Sequence, residues 1–185
     1  MKIVPTELDG VVIIEPRVFP DARGFFFESY HAERYAAAGL PDHFVQDNHS
    51  CSTGRTVRGL HYQLRHPQGK LLRVIRGSIY DVAVDIRRSS PTFGRWVSVE
   101  LSAENKRQLF IPAGFAHGFC VLSDVSEVEY KCTDYYFPDD QHGVQWNDTT
   151  VGVPWPVHDP VLSDKDRAYP PLSLARDDLP AYGPR

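Results

Sequence analysis

Cysteine is scarce in this chain. Three occur, at Cys51, Cys120 and Cys132, and no two of them have the CxxC spacing of a thiolate metal site. An odd number without such a pair argues against a disulfide framework. We therefore expect three buried thiols that act as small hydrophobic residues in a reducing compartment.

Long apolar runs and excess positive charge are also missing. No stretch is long and apolar enough to cross a bilayer as a helix, and residues 1–10 lack the apolar run of a signal peptide. A formal net charge of -4 argues against a general nucleic-acid binder, which would carry a basic face. We expect a cytoplasmic protein that binds neither membrane nor nucleic acid.

The chain has enough residues for one sizeable core. Its 185 residues suggest one domain, taken as 1–185, that needs neither metal nor disulfide to be stable. Turn-forming residues divide it into many short segments. These turns lie at 20–24, 76–78, 90–91, 112–114 and 138–140.

Several segments between these turns alternate as β-strands do. In Trp96–Ser102, valine and leucine alternate with serine and glutamate. Tyr80–Ile86 has one apolar face and an opposite face that carries two aspartates, and in Glu127–Cys132 Tyr130 lies on the apolar face. Many short strands with frequent turns predict an all-β sandwich or barrel.

One modest helix is predicted at Tyr30–Ala38. Ser29 is in place to cap its start, Gly39 to end it, and Pro41 prevents its continuation. After about Trp146 the chain becomes rich in proline and polar residues. We expect that tail to form loops and short turns wrapped on the barrel.

The segment Arg58–Gln63, followed by Lys70, contains residue types suited to acid–base chemistry. Gly59 lies between a cation and a histidine, where it allows a close backbone approach or an unusual dihedral angle. His61 is the side chain best suited to proton transfer near neutral pH. Taken alone, an ordinary core or surface histidine remains the alternative interpretation.

The segment Ile111–Phe119 contains a proline–glycine turn that delivers His117 to the start of a strand. Its P-x-G-x-x-H pattern is similar to the second cupin motif, whose histidine binds a metal in many cupins. The first cupin motif would need H-x-H and a glutamate, whereas His61 is followed by Gln63 and Lys70. Because like charges repel in a low-dielectric pocket, we predict a cupin scaffold without a metal site.

Two further side chains are candidates for catalysis. Tyr130 points to the predicted interior, where a phenol needs a polar partner; it is either a general acid or base, or a core tyrosine bonded to backbone. Asp166 follows Ser163 by three residues, which resembles a capping box at a helix start. An aspartate is also what a catalytic histidine needs to fix its tautomer.

Together these segments resemble the dTDP-4-dehydrorhamnose 3,5-epimerases. They occur in the family's order and at its approximate spacing, from about Glu7 to about Leu172. Each segment is weakly specific alone, but the set is highly specific. The segments are Arg23–Glu28, Gln46–Ser50, Arg58–Gln63, Ser90–Trp96, Ala116–Phe119, Tyr130–Cys132 and Leu162–Asp166.

The resemblance implies an all-β jelly roll (cupin) with one or two short helices. It implies a homodimer with N-terminal strands exchanged between subunits. The substrate would be dTDP-4-keto-6-deoxy-D-glucose, epimerised at carbons 3 and 5 to dTDP-4-keto-L-rhamnose through an enolate, with no cofactor and no metal. The pathway would be nucleotide deoxysugar biosynthesis.

The resemblance also implies roles for single residues. His61 would be the base, oriented by Asp166, with Tyr130 the acid on the opposite face of the sugar ring and Lys70 the stabiliser of the enolate oxygen. Tyr136 would stack on thymine. The implied contacts to nucleotide, phosphate or sugar are Arg23, Phe26, Glu28, Gln46, Asp47, Asn48, Arg58, His117, Tyr136, Gln141 and Lys165, with Arg23 and Glu28 acting across the dimer.

Three alternatives remain open. An epimerase acting at carbon 3 or carbon 5 alone would share nearly all these residues, because its specificity depends on how the acid and the sugar ring are oriented. A metal-dependent cupin would require iron, manganese or zinc, and a non-catalytic sugar-binding jelly roll would bind without exchanging protons. One departure concerns a minor ligand contact: Gln141 stands where the family often has glutamate.

Overall fold

The computed structural model describes residues 1–183, so the predicted domain 1–185 extends two residues beyond them. Its helices are α1 (Ala32–Ala37) and α2 (Asp164–Ala168), with a 3-10 turn at Pro138–Asp140. Its strands are β1 (Lys2–Pro5), β2 (Val12–Glu15), β3 (Val18–Asp21), β4 (Gly24–Phe27), β5 (Gln46–Thr53), β6 (Val57–Gln63), β7 (Lys70–Arg76), β8 (Ser78–Asp85), β9 (Trp96–Ser102), β10 (Gln108–Ile111), β11 (Phe115–Val121), β12 (Val125–Cys132) and β13 (Gln141–Gly143).

The strands form two facing sheets and a separate hairpin. One sheet has the order β1-β2-β10-β7-β12-β5, the other has the order β13-β6-β11-β8-β9, and β3 pairs with β4 alone. All the pairs are antiparallel, and most neighbours in a sheet are not consecutive in the chain. Two layers connected in this way form a jelly roll. The predicted all-β jelly roll with one or two short helices is confirmed, and the helices are two.

The main core lies between the two sheets. Leu72 and Leu109 of the first sheet pack with Ile79 and Leu101 of the second, and all four are buried. A second cluster covers the outer face of the second sheet, where Leu172 and other residues of the C-terminal segment pack. The proline-rich tail therefore wraps on the barrel as predicted.

The strand predicted at Tyr80–Ile86 is β8, and its two faces are both buried. Its apolar face, with Val82 and Val84, packs under the C-terminal segment. The opposite face points between the sheets, and there Asp81 and Asp85 are fully buried. Buried carboxylates need polar partners, so this face is a place where the fold builds hydrogen-bonded networks.

The first helix is shorter than predicted, and the prediction that Ser29 caps its start was wrong. The helix covers Ala32–Ala37 instead of Tyr30–Ala38, and no side chain caps its start. Ser29 lies too far upstream, and its carbonyl accepts a hydrogen bond from Gln108 Nε2 at 2.8 Å. Gly39 follows the helix with a positive φ of 76°, as expected for a residue that ends it.

Candidate active site

One pocket of about 320 Å³ is lined by strands of both sheets. Strands β5, β7 and β12 contribute from one side, and β6 and β11 from the other. The jelly roll thereby brings together side chains that are far apart along the chain. The predicted site residues that line this pocket are Gln46, Asn48, Arg58, His61, Lys70, His117, Tyr130, Tyr136 and Gln141.

His61 and Asp166 form a short hydrogen bond beside this pocket. His61 Nε2 lies 2.5 Å from Asp166 Oδ1, and the aspartate side chain is only 5% exposed. Ser163 Oγ accepts the backbone N–H of Asp166 at 3.1 Å, so Ser163 is the cap of α2. The capping interpretation is confirmed, and the Asp166 carboxylate also reaches His61, the contact that the catalytic interpretation requires.

The surroundings of His61 favour its neutral form. Burial is the main cause that lowers the pKa of His61, and the nearby charges of Lys70 and His117 act in the same direction. The hydrogen bond and charge of Asp166 oppose this shift. With its Nε2–H donated to Asp166, the neutral imidazole keeps its lone pair on Nδ1. That is the state a general base needs near neutral pH.

Gly59 sets the close packing of β6 on β11, as predicted. A Cβ at Gly59 would lie 2.5 Å from Gly118 Cα and 2.9 Å from the His117 carbonyl oxygen. Its φ of 129° is also one that other residues rarely adopt. This approach places His61 directly opposite His117 in the sheet.

His117 has a buried partner that the sequence did not reveal. Its Nε2 lies 3.0 and 3.1 Å from the two carboxylate oxygens of Asp81. Asp81 is fully buried and 36 positions away in sequence. The only available signal was an aspartate on the less apolar face of a strand, which does not by itself identify a partner.

Lys70 enters the pocket from β7 without a partner of its own. Within residues 1–183 its ammonium group makes neither a salt bridge nor a side-chain hydrogen bond. Burial lowers the pKa of Lys70, while the neighbouring Cys132 and Asp81 partly oppose that shift. Among residues 1–183, no carboxylate partner competes with a ligand in the pocket for the Lys70 amino group.

Tyr130 also presents an unpaired polar group to the pocket. Its hydroxyl has no hydrogen-bond partner in the described part of the chain, so the alternative of a core tyrosine bonded to backbone is wrong. Burial raises the pKa of Tyr130, whereas Arg58 lowers it. The phenol is thus protonated at neutral pH and can donate its proton.

The pocket mouth is organised by contacts to Arg58 and Tyr136. Arg58 Nε donates to Ser52 Oγ at 2.9 Å. The Tyr136 hydroxyl donates to Gln141 Oε1 at 2.5 Å, and Gln141 Nε2 donates to the Tyr169 hydroxyl at 2.9 Å. Ser52 and Tyr169 were not singled out from the sequence, because no pattern in the chain indicated these contacts.

Five predicted substrate contacts lie outside the pocket of this single chain. Arg23 and Phe26 belong to the exposed β3–β4 hairpin, and Glu28 follows it. Phe26 is 70% exposed. Asp47 and Lys165 are exposed on β5 and α2. This chain alone therefore does not bring these five residues to the pocket.

The cysteines differ in part from expectation. All three are free, but only Cys120 and Cys132 are buried, while Cys51 is exposed on β5. The expectation that all three thiols are buried was therefore wrong for Cys51.

Among residues 1–183, no three histidine, cysteine or carboxylate side chains are grouped so that they could hold a metal ion. In the same residues, no helix has the length and hydrophobicity needed to cross a membrane.

A jelly roll whose pocket holds a carboxylate-paired histidine, an unpaired lysine and a protonated tyrosine has the kinds of group that an acid–base isomerase needs. Residues 5–173 match the model of the dTDP-4-dehydrorhamnose 3,5-epimerase family. The chain belongs to this family and is an epimerase.

Relatives and solved structures agree with this assignment. The dTDP-4-dehydrorhamnose 3,5-epimerase of Shigella flexneri is 56% identical over 90% of this chain and 93% of its own. That of Pseudomonas aeruginosa is 55% identical, with the same coverage of both chains. A solved dTDP-6-deoxy-D-glucose-3,5-epimerase of Legionella pneumophila, in complex with dTDP-4-keto-L-rhamnose, has a TM-score of 0.95 and 50% identity and covers 99% of both chains.

Proposed function

We propose that this epimerase converts dTDP-4-keto-6-deoxy-D-glucose to dTDP-4-keto-L-rhamnose by inverting carbons 3 and 5. The observation that carries the proposal is the meeting of the His61–Asp166 pair, Lys70 and Tyr130 at one pocket. These are the three kinds of group that the reaction needs: a base, an acid, and positive charge at the ketone oxygen. The named relatives, which act on this class of sugar nucleotide, support the same substrate.

The reaction follows from the 4-keto group, which acidifies the C–H bonds at carbons 3 and 5. His61 Nδ1 takes one of these protons, the C–H electron pair becomes the new C=C bond, and the carbonyl π electrons move to the oxygen. Lys70 stabilises the resulting enolate oxygen. Tyr130 then gives its phenolic proton to the opposite face of the same carbon, and solvent resets the protonation of both residues.

The expected magnitudes fit these roles. A positioned acid or base typically contributes about 10²- to 10⁴-fold to a rate. Loss of one preorganised donor at an oxyanion costs about 10²- to 10³-fold. Lys70 suits this task because no carboxylate among residues 1–183 forms a salt bridge with it, so its charge needs no release from a partner before the enolate forms.

We assign the mouth of the pocket to the nucleotide. Arg58 is held by Ser52, and a guanidinium fixed in this way suits the negative charge of a diphosphate. Tyr136 is 44% exposed at the mouth, where its ring can stack on thymine. Gln141 orients Tyr136 through the short hydrogen bond between them.

We further propose that the enzyme is a homodimer in which the β3–β4 hairpin serves the partner's pocket. Arg23, Phe26 and Glu28 are exposed and lie outside the pocket of their own chain. Exposed aromatic residues on a hairpin favour an interface. Mixed dimers of Arg23→Ala and His61→Ala subunits test this. Regained activity supports exchange of the hairpin, because one pocket of the mixed dimer then has both Arg23 and His61. A mixed dimer that stays inactive contradicts the exchange.

We also propose that the whole chain 1–185 forms one domain and that it works in the cytoplasm. Three free cysteines are in keeping with a reducing compartment. Limited proteolysis tests the first point, since a single domain yields no stable internal fragment. Localisation of the tagged protein in the source cells tests the second.

Incubation with dTDP-4-keto-6-deoxy-D-glucose in heavy water tests the proposed reaction. Mass spectrometry and proton NMR follow deuterium at carbons 3 and 5. Incorporation at both carbons supports the proposal, and incorporation at one carbon indicates a single-site epimerase. Absence of incorporation contradicts epimerisation of this substrate, and His61→Ala is the control that abolishes exchange at both positions.

A further inference from the structure

Tyr169 lies between the catalytic pair and the pocket mouth. It follows α2, the helix that carries Asp166. Its ring packs edge-on against the His61 imidazole, with centroids 5.6 Å apart and an angle of 69° between the rings. Its hydroxyl accepts a hydrogen bond from Gln141. On another side the ring covers β13 so closely that a Cβ on Gly143 would lie 2.5 Å from it.

The hydrogen bonds through Gln141 have a defined direction. The distance of 2.5 Å from the Tyr136 hydroxyl to Gln141 Oε1 suits an O–H donor. The 2.9 Å between Gln141 Nε2 and the Tyr169 hydroxyl suits an N–H donor. The amide of Gln141 is therefore held at both ends and connects the Tyr136 hydroxyl to the Tyr169 hydroxyl.

We propose that Tyr169 is a positioning residue with two separable tasks. Its ring holds and shields the His61 imidazole, and its hydroxyl anchors Gln141 and through it Tyr136. The inference rests on the proposed epimerase function and adds to it a residue that connects the base to the nucleotide end of the pocket. A substitution that removes only the hydroxyl then affects binding, and one that removes the ring affects the base.

The ring contributes to the burial that dominates the protonation of His61. Burial is the largest cause of the lowered pKa of His61. Without the ring, water reaches the imidazole and its pKa rises, so the acid limb of the pH–rate profile moves to higher pH. The substitution leaves the other ionisable groups that face His61 or line its pocket: Asp166 on α2, Lys70 on β7, His117 on β11, Arg58 and Tyr62 on β6, Tyr130 on β12 and Tyr136 after β12.

Two variants separate the tasks. Tyr169→Phe keeps the ring, and we expect KM to rise about 2- to 10-fold, as for one lost hydrogen bond, with kcat and the acid limb unchanged. Tyr169→Leu removes the ring, and we expect kcat to fall about 10- to 100-fold with the acid limb at higher pH. Tyr169→Met replaces the leucine variant should that one not fold.

The hydrogen-bonded connection from Tyr169 through Gln141 to Tyr136 has its own test. We expect the KM effects of Tyr169→Phe and Tyr136→Phe to be less than multiplicative when combined, because both act on one amide. Tyr182→Phe and Tyr182→Leu are matched controls and leave all parameters unchanged, since Tyr182 is 46% exposed and packs on Arg87.

Titration of His61 by NMR gives a readout that does not depend on turnover. A higher His61 pKa in Tyr169→Leu but not in Tyr169→Phe supports the proposal. Equal effects of the two Tyr169 variants, or none, overturn it. Wild-type protein without proton exchange would refute the proposed function instead, whereas active wild type with unaffected Tyr169 variants refutes only this inference.

Discussion

Replacing Asp166 by asparagine tests the base most directly. The substitution preserves shape but removes the charge that faces His61 Nε2 at 2.5 Å. When His61 takes a proton from the sugar it becomes a cation, and the buried carboxylate stabilises that cation. A hydrogen bond to a charged group contributes about 1.5–3 kcal/mol. Since 1.36 kcal/mol is a tenfold change in rate, we expect kcat to fall about 10- to 150-fold.

The pH dependence of this variant has a defined sign. Asp166 raises the pKa of His61 against the larger effect of burial. Its loss therefore lowers the pKa of His61 further, and the acid limb of kcat/KM moves to lower pH although the plateau is reduced. This shift is opposite to the one expected for Tyr169→Leu, so the two variants distinguish charge from burial at the same imidazole.

The assay is deuterium incorporation at carbons 3 and 5 measured across the pH range. Asp164→Asn is the matched control, because Asp164 is in the same turn of α2 but exposed, and it leaves the rate unchanged. A thermal melt of both variants confirms that they are folded. An Asp166→Asn enzyme with full activity, or with an acid limb at higher pH, would refute the role assigned to the pair.

Three further substitutions have defined outcomes. Tyr130→Phe removes the acid, so we expect epimerised product to be lost while some exchange by His61 remains; full epimerisation would remove Tyr130 from the mechanism. Lys70→Met lowers kcat about 10²- to 10³-fold, as for a lost oxyanion donor, and a near-normal kcat contradicts its role. Gly59→Ala forces a Cβ to within 2.5 Å of Gly118 Cα, so denaturant unfolding should show a loss of more than about 2 kcal/mol, and an unchanged midpoint contradicts the close-packing argument.

The members of the proposed catalytic set could be named from the sequence, because acid–base chemistry depends on residue type and because the order of the segments resembles that of one family, which implied their roles. His61, Lys70 and Tyr130 were identified in this way, and the structure brings all three to one pocket. Partners formed by tertiary contact could not be predicted. Asp81 beside His117 and Tyr169 beside His61 are examples, since each pair is distant in sequence and no periodicity connects its members.

Prediction from local sequence patterns also had limits. The helix near Tyr35 was expected to begin earlier, with Ser29 as its cap. Instead the Tyr30 and Tyr35 rings pack edge-on 4.9 Å apart, and the Ser29 carbonyl accepts from Gln108. Packing against the sheet thus decided the start of the helix, because the propensity of a single helical turn is weak compared with tertiary contacts.

The strand pattern, the tight backbone approach at Gly59 and the kinds of side chain that could exchange a proton follow from the order of the amino acids. These depend on properties that neighbouring residues carry with them. Packing of the chain into the jelly roll brings His61 and Asp166, separated by 105 positions, to within 2.5 Å of each other. It also decided which groups lose contact with water, and that burial lowers the pKa of His61 and raises that of Tyr130. Distance and desolvation arise only when the strands pack together, since the unfolded chain leaves each of these groups hydrated.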